Sequence, residues 1–97
     1  MRPDAPPLRL RANGLAWRLV RNEVIALDSR SSTYFATRGS GAIIWEALAR
    51  GASRTELVEC LVSRYGIDEQ AAAADVDRFV ADLGGRGLLA DDGASAA

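Results

Sequence analysis

The stretch from Thr33 to Leu48 reads Thr-Tyr-Phe-Ala-Thr-Arg-Gly-Ser-Gly-Ala-Ile-Ile-Trp-Glu-Ala-Leu, and it restricts the fold more than any other part of the chain. Thr33 to Thr37 are β-branched, aromatic or small, as a strand prefers. Arg38-Gly39-Ser40-Gly41 breaks that pattern, and an apolar helix carrying Trp45 follows at once. A strand delivered directly into a helix, with hairpin-like sequence before it and helical sequence after it, predicts a sheet built first and helices that close over it.

Before that stretch, Leu15, Trp17 and Leu19 alternate with Arg18, the period of a half-buried strand over Leu15 to Val20. Arg21-Asn22 suits a tight turn, because Asn tolerates left-handed backbone angles, and Val24 to Leu27 supplies the returning strand. With a third strand over Thr33 to Thr37, the expectation is an antiparallel meander whose third strand keeps one free edge. Downstream, a first helix is expected from Ser40, capped by its own hydroxyl, to about Ala49, with Ile44, Trp45 and Leu48 on one face. Ser53-Arg54-Thr55-Glu56 has the spacing of a capping box, followed by Leu57, Val58, Leu61, Val62 and Tyr65 at helical intervals and Gly66 as a stop. Asp68 is placed to cap a third helix with Ala72, Val76, Phe79, Val80 and Leu83 on one stripe and Gly84-Gly85 at its end. Gly87-Leu88-Leu89 is expected to fold back on the core. The sequence thus predicts an α+β domain over residues 13–90, winged helix-turn-helix-like, with three strands followed by three helices. Residues 1–12, with three prolines, and 91–97 are expected to be flexible tails.

Composition removes most catalytic chemistries. The 97 residues contain no histidine and a single cysteine, Cys60, so the usual general base, the usual partner of a catalytic serine or cysteine, and a cysteine-based metal site are all missing. No catalytic residue, cofactor or metal is therefore assigned, and the expected activity is not enzymatic. Twelve basic residues against thirteen acidic ones give a net charge of -1, which offers little attraction to a nucleic-acid backbone. There is no lysine, and neither Gly39-Ser40-Gly41 nor Gly84-Gly85 has the spacing of a phosphate-binding loop. No apolar run approaches the roughly 20 residues needed to span a bilayer, so the expected location is cytoplasmic.

The conspicuous residues have plain structural readings. Cys60 lies on the second helix between Leu57 and Leu61, where a small thiol packs well, and Trp17 and Trp45 suit a core. Asp75 and Asp77 are two apart on a helix and do not face each other, which leaves them solvated or paired with Arg78. What remains is a shape: an edge strand beside an amphipathic helix makes a groove for an extended peptide, whose backbone would pair with the strand and whose alternate side chains would enter pockets.

Four segments carry a family resemblance: Tyr34-Phe35-Ala36, Ser40-Gly41-Ala42-Ile43-Ile44-Trp45, Leu61-Val62-Ser63-Arg64-Tyr65 and Asp75-Val76-Asp77-Arg78-Phe79-Val80. In this order, within Val24 to Leu89, the chain resembles the PqqD family of small winged-helix-like proteins, which recognise leader peptides of ribosomally made, post-translationally modified natural products. Where that family commonly has Leu-Asn-Pro after Tyr-Phe-Ala, this chain has Thr37-Arg38-Gly39, a more polar junction. A chain of this length also resembles the stand-alone recognition proteins of lasso-peptide pathways, which work beside a separate leader peptidase and a cyclase. The resemblance implies that a leader peptide adds as a strand to Thr33, Tyr34, Phe35, Ala36 and Thr37 and lies against the third helix at Asp75, Val76, Arg78, Phe79 and Leu83. Within that set Tyr34, Phe35, Val76, Phe79 and Leu83 are candidate pocket residues, and Arg78 is placed to meet an acidic leader side chain.

Two other readings follow from the same residues. One is a peptide chaperone of pyrroloquinoline quinone or another modified-peptide pathway. The other is a winged-helix DNA-binding module, which the predicted third helix opposes because it carries Asp68, Glu69, Asp75, Asp77 and Asp82 against one arginine, Arg78. The expected partners are the leader peptide and the peptidase, with the cyclase as a further candidate, and neither nucleic acid nor membrane. The free sheet edge permits a monomer or an edge-paired or strand-swapped dimer.

Overall fold

A computed structural model describes residues 7–90, and its elements run β1 (Leu15–Val20), β2 (Glu23–Asp28), β3 (Thr33–Arg38), α1 (Ser40–Arg50), α2 (Arg54–Tyr65) and α3 (Glu69–Gly85). The strands form one antiparallel sheet in the order β1-β2-β3, so the expected α+β meander-then-helices order is what the chain adopts. Arg21 and Asn22 both have positive φ, 53° and 68°, which matches the right-handed twist of a two-residue hairpin. The resulting register aligns Trp17, Ala26 and Phe35 across the sheet, and likewise Leu19, Val24 and Thr37. These rows face the helices, with Val24 and Ala26 buried. Because side chains alternate, the row Ala16, Leu27 and Tyr34 faces the other way, and Tyr34 is 73% exposed.

Helix α1 lies across the inner sheet face and buries Ile44, Trp45 and Leu48 completely. The indole of Trp45 stacks on Phe35 with ring centres 5.5 Å apart and meets Trp17 edge-on at 6.0 Å. The α1 start differs from the expected one. Ser40 is its first helical residue, and the cap position is Gly39, which has φ 65° and no side chain to accept a bond. The amides of Ala42 and Ile43 donate to the Gly39 carbonyl instead. Next to Ser40, Gly41 is buried where an added Cβ would collide with Thr37 Oγ1 and lie 3.0 Å from Phe79 Cε1. Helix α1 can therefore come this close to β3 and α3 only with glycine there.

Helix α2 starts at the expected capping box: Ser53 Oγ accepts from the Glu56 amide, and Glu56 accepts from the Ser53 amide. Gly66, in the left-handed conformation, ends it. Asp68 caps α3 by accepting from the Ala71 amide. Leu57, Leu61, Val76 and Leu83 fill the space among the helices with no exposed surface, and each such side chain contributes about 1.5–3 kcal/mol by leaving water. Cys60 is half-buried, and Trp17 remains 37% exposed at the β1 edge. No helix among the described residues is long and apolar enough to cross a membrane.

Leu8 to Arg11, which the sequence places in a tail, lie against the body. Leu8 pairs with Ala52 through two backbone bonds of 2.8 and 3.0 Å, the Arg11 amide donates to the Leu88 carbonyl and the Ala90 amide to the Arg9 carbonyl. The segment bridges the α1–α2 junction to the chain after α3, which also folds back as expected, with Leu88 buried. Leu8 and Leu10 alternate as strand residues do, but the prolines before them hide the signal. The remaining tail residues, 1–6 and 91–97, lie outside the described range.

Arg11 fixes this segment electrostatically. Its guanidinium donates to both carboxylate oxygens of buried Asp28, at 2.5 and 3.5 Å, and to the Gly87 carbonyl at 2.6 Å. Asp28 also accepts from the Arg30 amide and the Ser31 hydroxyl. Together, with the Arg11 bond the largest influence, these hold its carboxyl at about 2, below the ordinary 3.8.

Two outcomes are expected. A carboxyl whose value is depressed by folding stabilises the fold above its unfolded value, and that contribution is lost as pH falls from 3.8 through about 2. The urea midpoint of the wild type should therefore drop more steeply across that window than the midpoint of Asp28→Asn, and equal slopes would contradict the assignment. Gly41→Ala should destabilise by about 1–3 kcal/mol through overpacking, although alanine ordinarily favours a helix over glycine. Adding Thr37→Ala removes the nearest obstructing atom and should recover part of the loss in thermal melts; strictly additive changes would show that the Thr37 contact is not the cause.

Candidate functional site

Among the described residues strand β3 hydrogen-bonds only to β2, which leaves its other edge free. Helix α3 packs chiefly against α2 and leaves a groove between itself and that edge. Phe35 forms the middle of the groove floor. One side of its environment is the Trp45 stack, and on the groove side it meets Phe79, tilted 52° with ring centres 6.2 Å apart. The Arg86 guanidinium lies over the Phe35 ring at 5.0 Å, an arrangement in which the ring face attracts the cation.

Two cavities open along this groove. The larger, about 470 Å³, lies at the strand-to-helix junction and is lined by Thr37, Arg38, Ser40, Gly41, Ile44, Asp75, Arg78, Phe79 and Asp82. The smaller, about 300 Å³, lies toward the start of β3 and is lined by Leu15, Ala26, Asp28, Ser31, Thr33, Tyr34, Phe35, Arg86 and Leu88. The Asp82–Arg86 ion pair, 3.1 Å long and one helical turn apart, joins a wall residue of the first to a wall residue of the second. Charges at the larger cavity are matched locally, with Arg38 beside Glu23 at 3.2 Å and Arg78 beside Asp75 at 3.5 Å. All of these pairs are substantially exposed and hold little energy.

The residues singled out from the sequence separate into three groups. Thr33, Tyr34, Phe35, Thr37, Asp75, Arg78 and Phe79 line one cavity or the other. Tyr34 borders the smaller cavity, but alternation carries the side chains of Tyr34 and Ala36 to the outer sheet face, so the Tyr34 ring is on the opposite side from Phe35. Val76 and Leu83 have no exposed surface and are core residues, which removes them from any surface a ligand could reach without unpacking the helices. The apolar stripe of α3 is wide enough to include both the buried positions and Phe79 at their margin, and sequence spacing does not divide them. Asp77, next to the stripe, forms two bonds of 2.7 and 2.9 Å with Arg54 of α2, which lower its carboxyl and raise the guanidinium.

Several residues that line these cavities are not singled out by the sequence, among them Arg86, Leu15, Asp28 and Leu88. For Arg86 a signal existed: it follows Phe79 by seven residues and Asp82 by four, the spacing that puts side chains on one helix face. The arrangement offers a free row of backbone groups among the described residues, a smaller hollow that is mostly apolar, a larger one lined largely by polar and charged residues, and flanking arginines. Among the described residues no group of three His, Cys, Asp or Glu side chains could hold a metal ion.

Comparison with known proteins agrees with this architecture. The profile of the family described as coenzyme PQQ synthesis protein D (PqqD) matches residues 23–89. The solved structure of TbiB1 in complex with the TbiA(beta) leader peptide superposes with a TM-score of 0.78 at 25% identity, covering 84% of this chain and 93% of that one. A lasso peptide synthetase B1 complexed with the leader peptide gives a TM-score of 0.76 at 25% identity, covering 87% of this chain and 98% of that one. No curated protein matches the chain. The family match begins at the first residue of β2 and ends at Leu89, taking in β3, α3 and the groove between them, and the chain belongs to the PqqD family.

Proposed function

We propose that this protein binds the leader segment of a ribosomally made precursor peptide and has no catalytic role of its own. The leader adds as a fourth strand to β3, and its inward side chains enter the two cavities beside α3. The observation that carries this reading is the free edge of β3 facing α3 across the Phe35–Phe79 contact, in a fold shared with two proteins whose structures contain leader peptides. Backbone pairing supplies affinity that is indifferent to sequence, and the cavities supply discrimination. The backbone partners are Thr33 to Thr37, and the side chains that meet the peptide are Phe35, Thr37, Asp75, Arg78 and Phe79.

Holding the leader presents the rest of the precursor to a leader peptidase and a cyclase of a lasso-peptide pathway in the cytoplasm. The gain is one of local concentration: tethering the substrate near the enzyme makes the next encounter effectively intramolecular. Ordering a flexible leader costs entropy, so affinity depends on a few anchors that fill their hollows rather than on total contact area. The acidic face of α3, with Asp75, Asp77 and Asp82 exposed or half-exposed, disfavours a phosphate backbone as the alternative ligand.

A fluorescence-anisotropy titration with the labelled leader of a precursor encoded beside this protein should saturate, and the affinity should change little between low and high salt. Phe79→Ala, if it remains folded, should weaken binding about tenfold or more by removing an anchor. Leaders N-methylated at every second residue separate strand addition from other modes, since only alternate amides face β3. One methylation register should abolish binding and the other should be tolerated; equal tolerance of both would reject strand addition.

A further inference from the structure

We propose that Arg86 sets the charge preference of the groove, taking a carboxylate carried by the bound segment two positions from the apolar residue that enters the smaller cavity. The proposal rests on the leader-binding reading and goes on to specify the class of segment recognised.

Arg86 differs from the other arginines near the groove. Arg11 is consumed by Asp28 and the Gly87 carbonyl, inside the fold. Arg78 is three-quarters exposed and, among the described residues, pairs only with Asp75 on its own helix. The Arg86 guanidinium instead lies against the Phe35 ring, at the rim of a cavity whose walls are mostly apolar. Its Nε donates to Asp82, and among the described residues its two terminal nitrogens donate to nothing. A guanidinium has five N–H groups in a planar fork, so four remain for a ligand at that rim.

The competing partner is weak. Asp82 and Arg86 form an exposed pair within one helix, and exposed pairs of this kind contribute little. A carboxylate arriving on a peptide that covers the groove would be screened less, and its bonds to the guanidinium would strengthen accordingly. The cavity's own carboxylate does not repel it strongly, because Asp28 is neutralised by Arg11 and accepts further bonds from Arg30 and Ser31.

Strand geometry gives the spacing. Side chains on one face of an added strand recur every second residue, about 7 Å apart. When one of them fills the hollow bounded by Leu15, Phe35 and Leu88, its neighbour on the same face meets the rim where Arg86 lies. The recognised segment is therefore an apolar residue with Asp or Glu two positions away.

The test is a selection from a displayed library of random 14-residue peptides against the wild type, Arg86→Gln and Arg86→Glu, each confirmed as folded by its thermal melt. Wild-type selections should be enriched in an apolar residue with an acidic residue two positions away. Arg86→Gln should lose the acidic preference, and Arg86→Glu should replace it with Lys or Arg at the same position. A wild-type peptide should bind Arg86→Glu about tenfold or more weakly, the loss expected of a charge-assisted bond, and changing its acidic residue to Lys should restore affinity. Enrichment of apolar anchors with no charge preference, or with the same preference in all three proteins, would overturn the role of Arg86 while leaving leader binding intact. Failure of the wild type to enrich any peptide would overturn the leader-binding reading, and the proposal with it.

Discussion

The fold depends on the indole of Trp45, which is fully buried between the sheet and the helices and stacks on Phe35. That contact fixes α1 across the inner sheet face, and the absence of a side chain at Gly41 lets the helix start pass close to both Thr37 and Phe79. With α1 in that position, α2 and α3 complete the core from the far side, and α3 stands beside β3 rather than over it. The groove is a consequence of the same packing: one face of Phe35 belongs to the core through Trp45, and the other belongs to the groove through Phe79 and Arg86. Among the described residues the indole Nε1 has no hydrogen-bond partner, a cost of about 1–3 kcal/mol that the surrounding aromatic packing must offset.

An exposed sheet edge is ordinarily a hazard, since its unpaired N–H and C=O groups can recruit another chain. Here the edge is short, ends at Arg38 and lies beside a helix, which limits what can pair with it. A single extended peptide meets these limits better than a second sheet does, and the proposed function uses that difference. The segment Leu8 to Arg11 supports the same site from behind. Through Arg11 it ties Asp28, at the end of β2, to Gly87, just after α3, and so joins two walls of the smaller cavity.

Much of the fold was legible because local signals agreed with one another. The Arg21-Asn22 turn, the Ser53–Glu56 capping box, the Asp68 cap and the Gly66 stop each name their own element and fall where the chain uses them. Ser40 misled because a serine at a helix start resembles a cap, whereas the backbone turn at Gly39 places it one residue inside. The groove of the candidate site was legible as an edge strand beside a helix, but which side chains line it was not. Spacing assigns Val76, Phe79 and Leu83 to one stripe, and only tertiary packing decides that the first and last are enclosed while Phe79 reaches the groove. The Arg11–Asp28 bond joins residues 17 positions apart, and no local pattern announces a pairing of that kind.

The most direct test of the account is amide hydrogen exchange of the protein with and without a saturating leader peptide. Strand addition should give added protection confined to alternate amides of β3, with smaller changes along the groove face of α3. Saturable binding that protects β1, the outer sheet face or α2 while leaving β3 unchanged would contradict it, and would place the peptide somewhere other than the free edge.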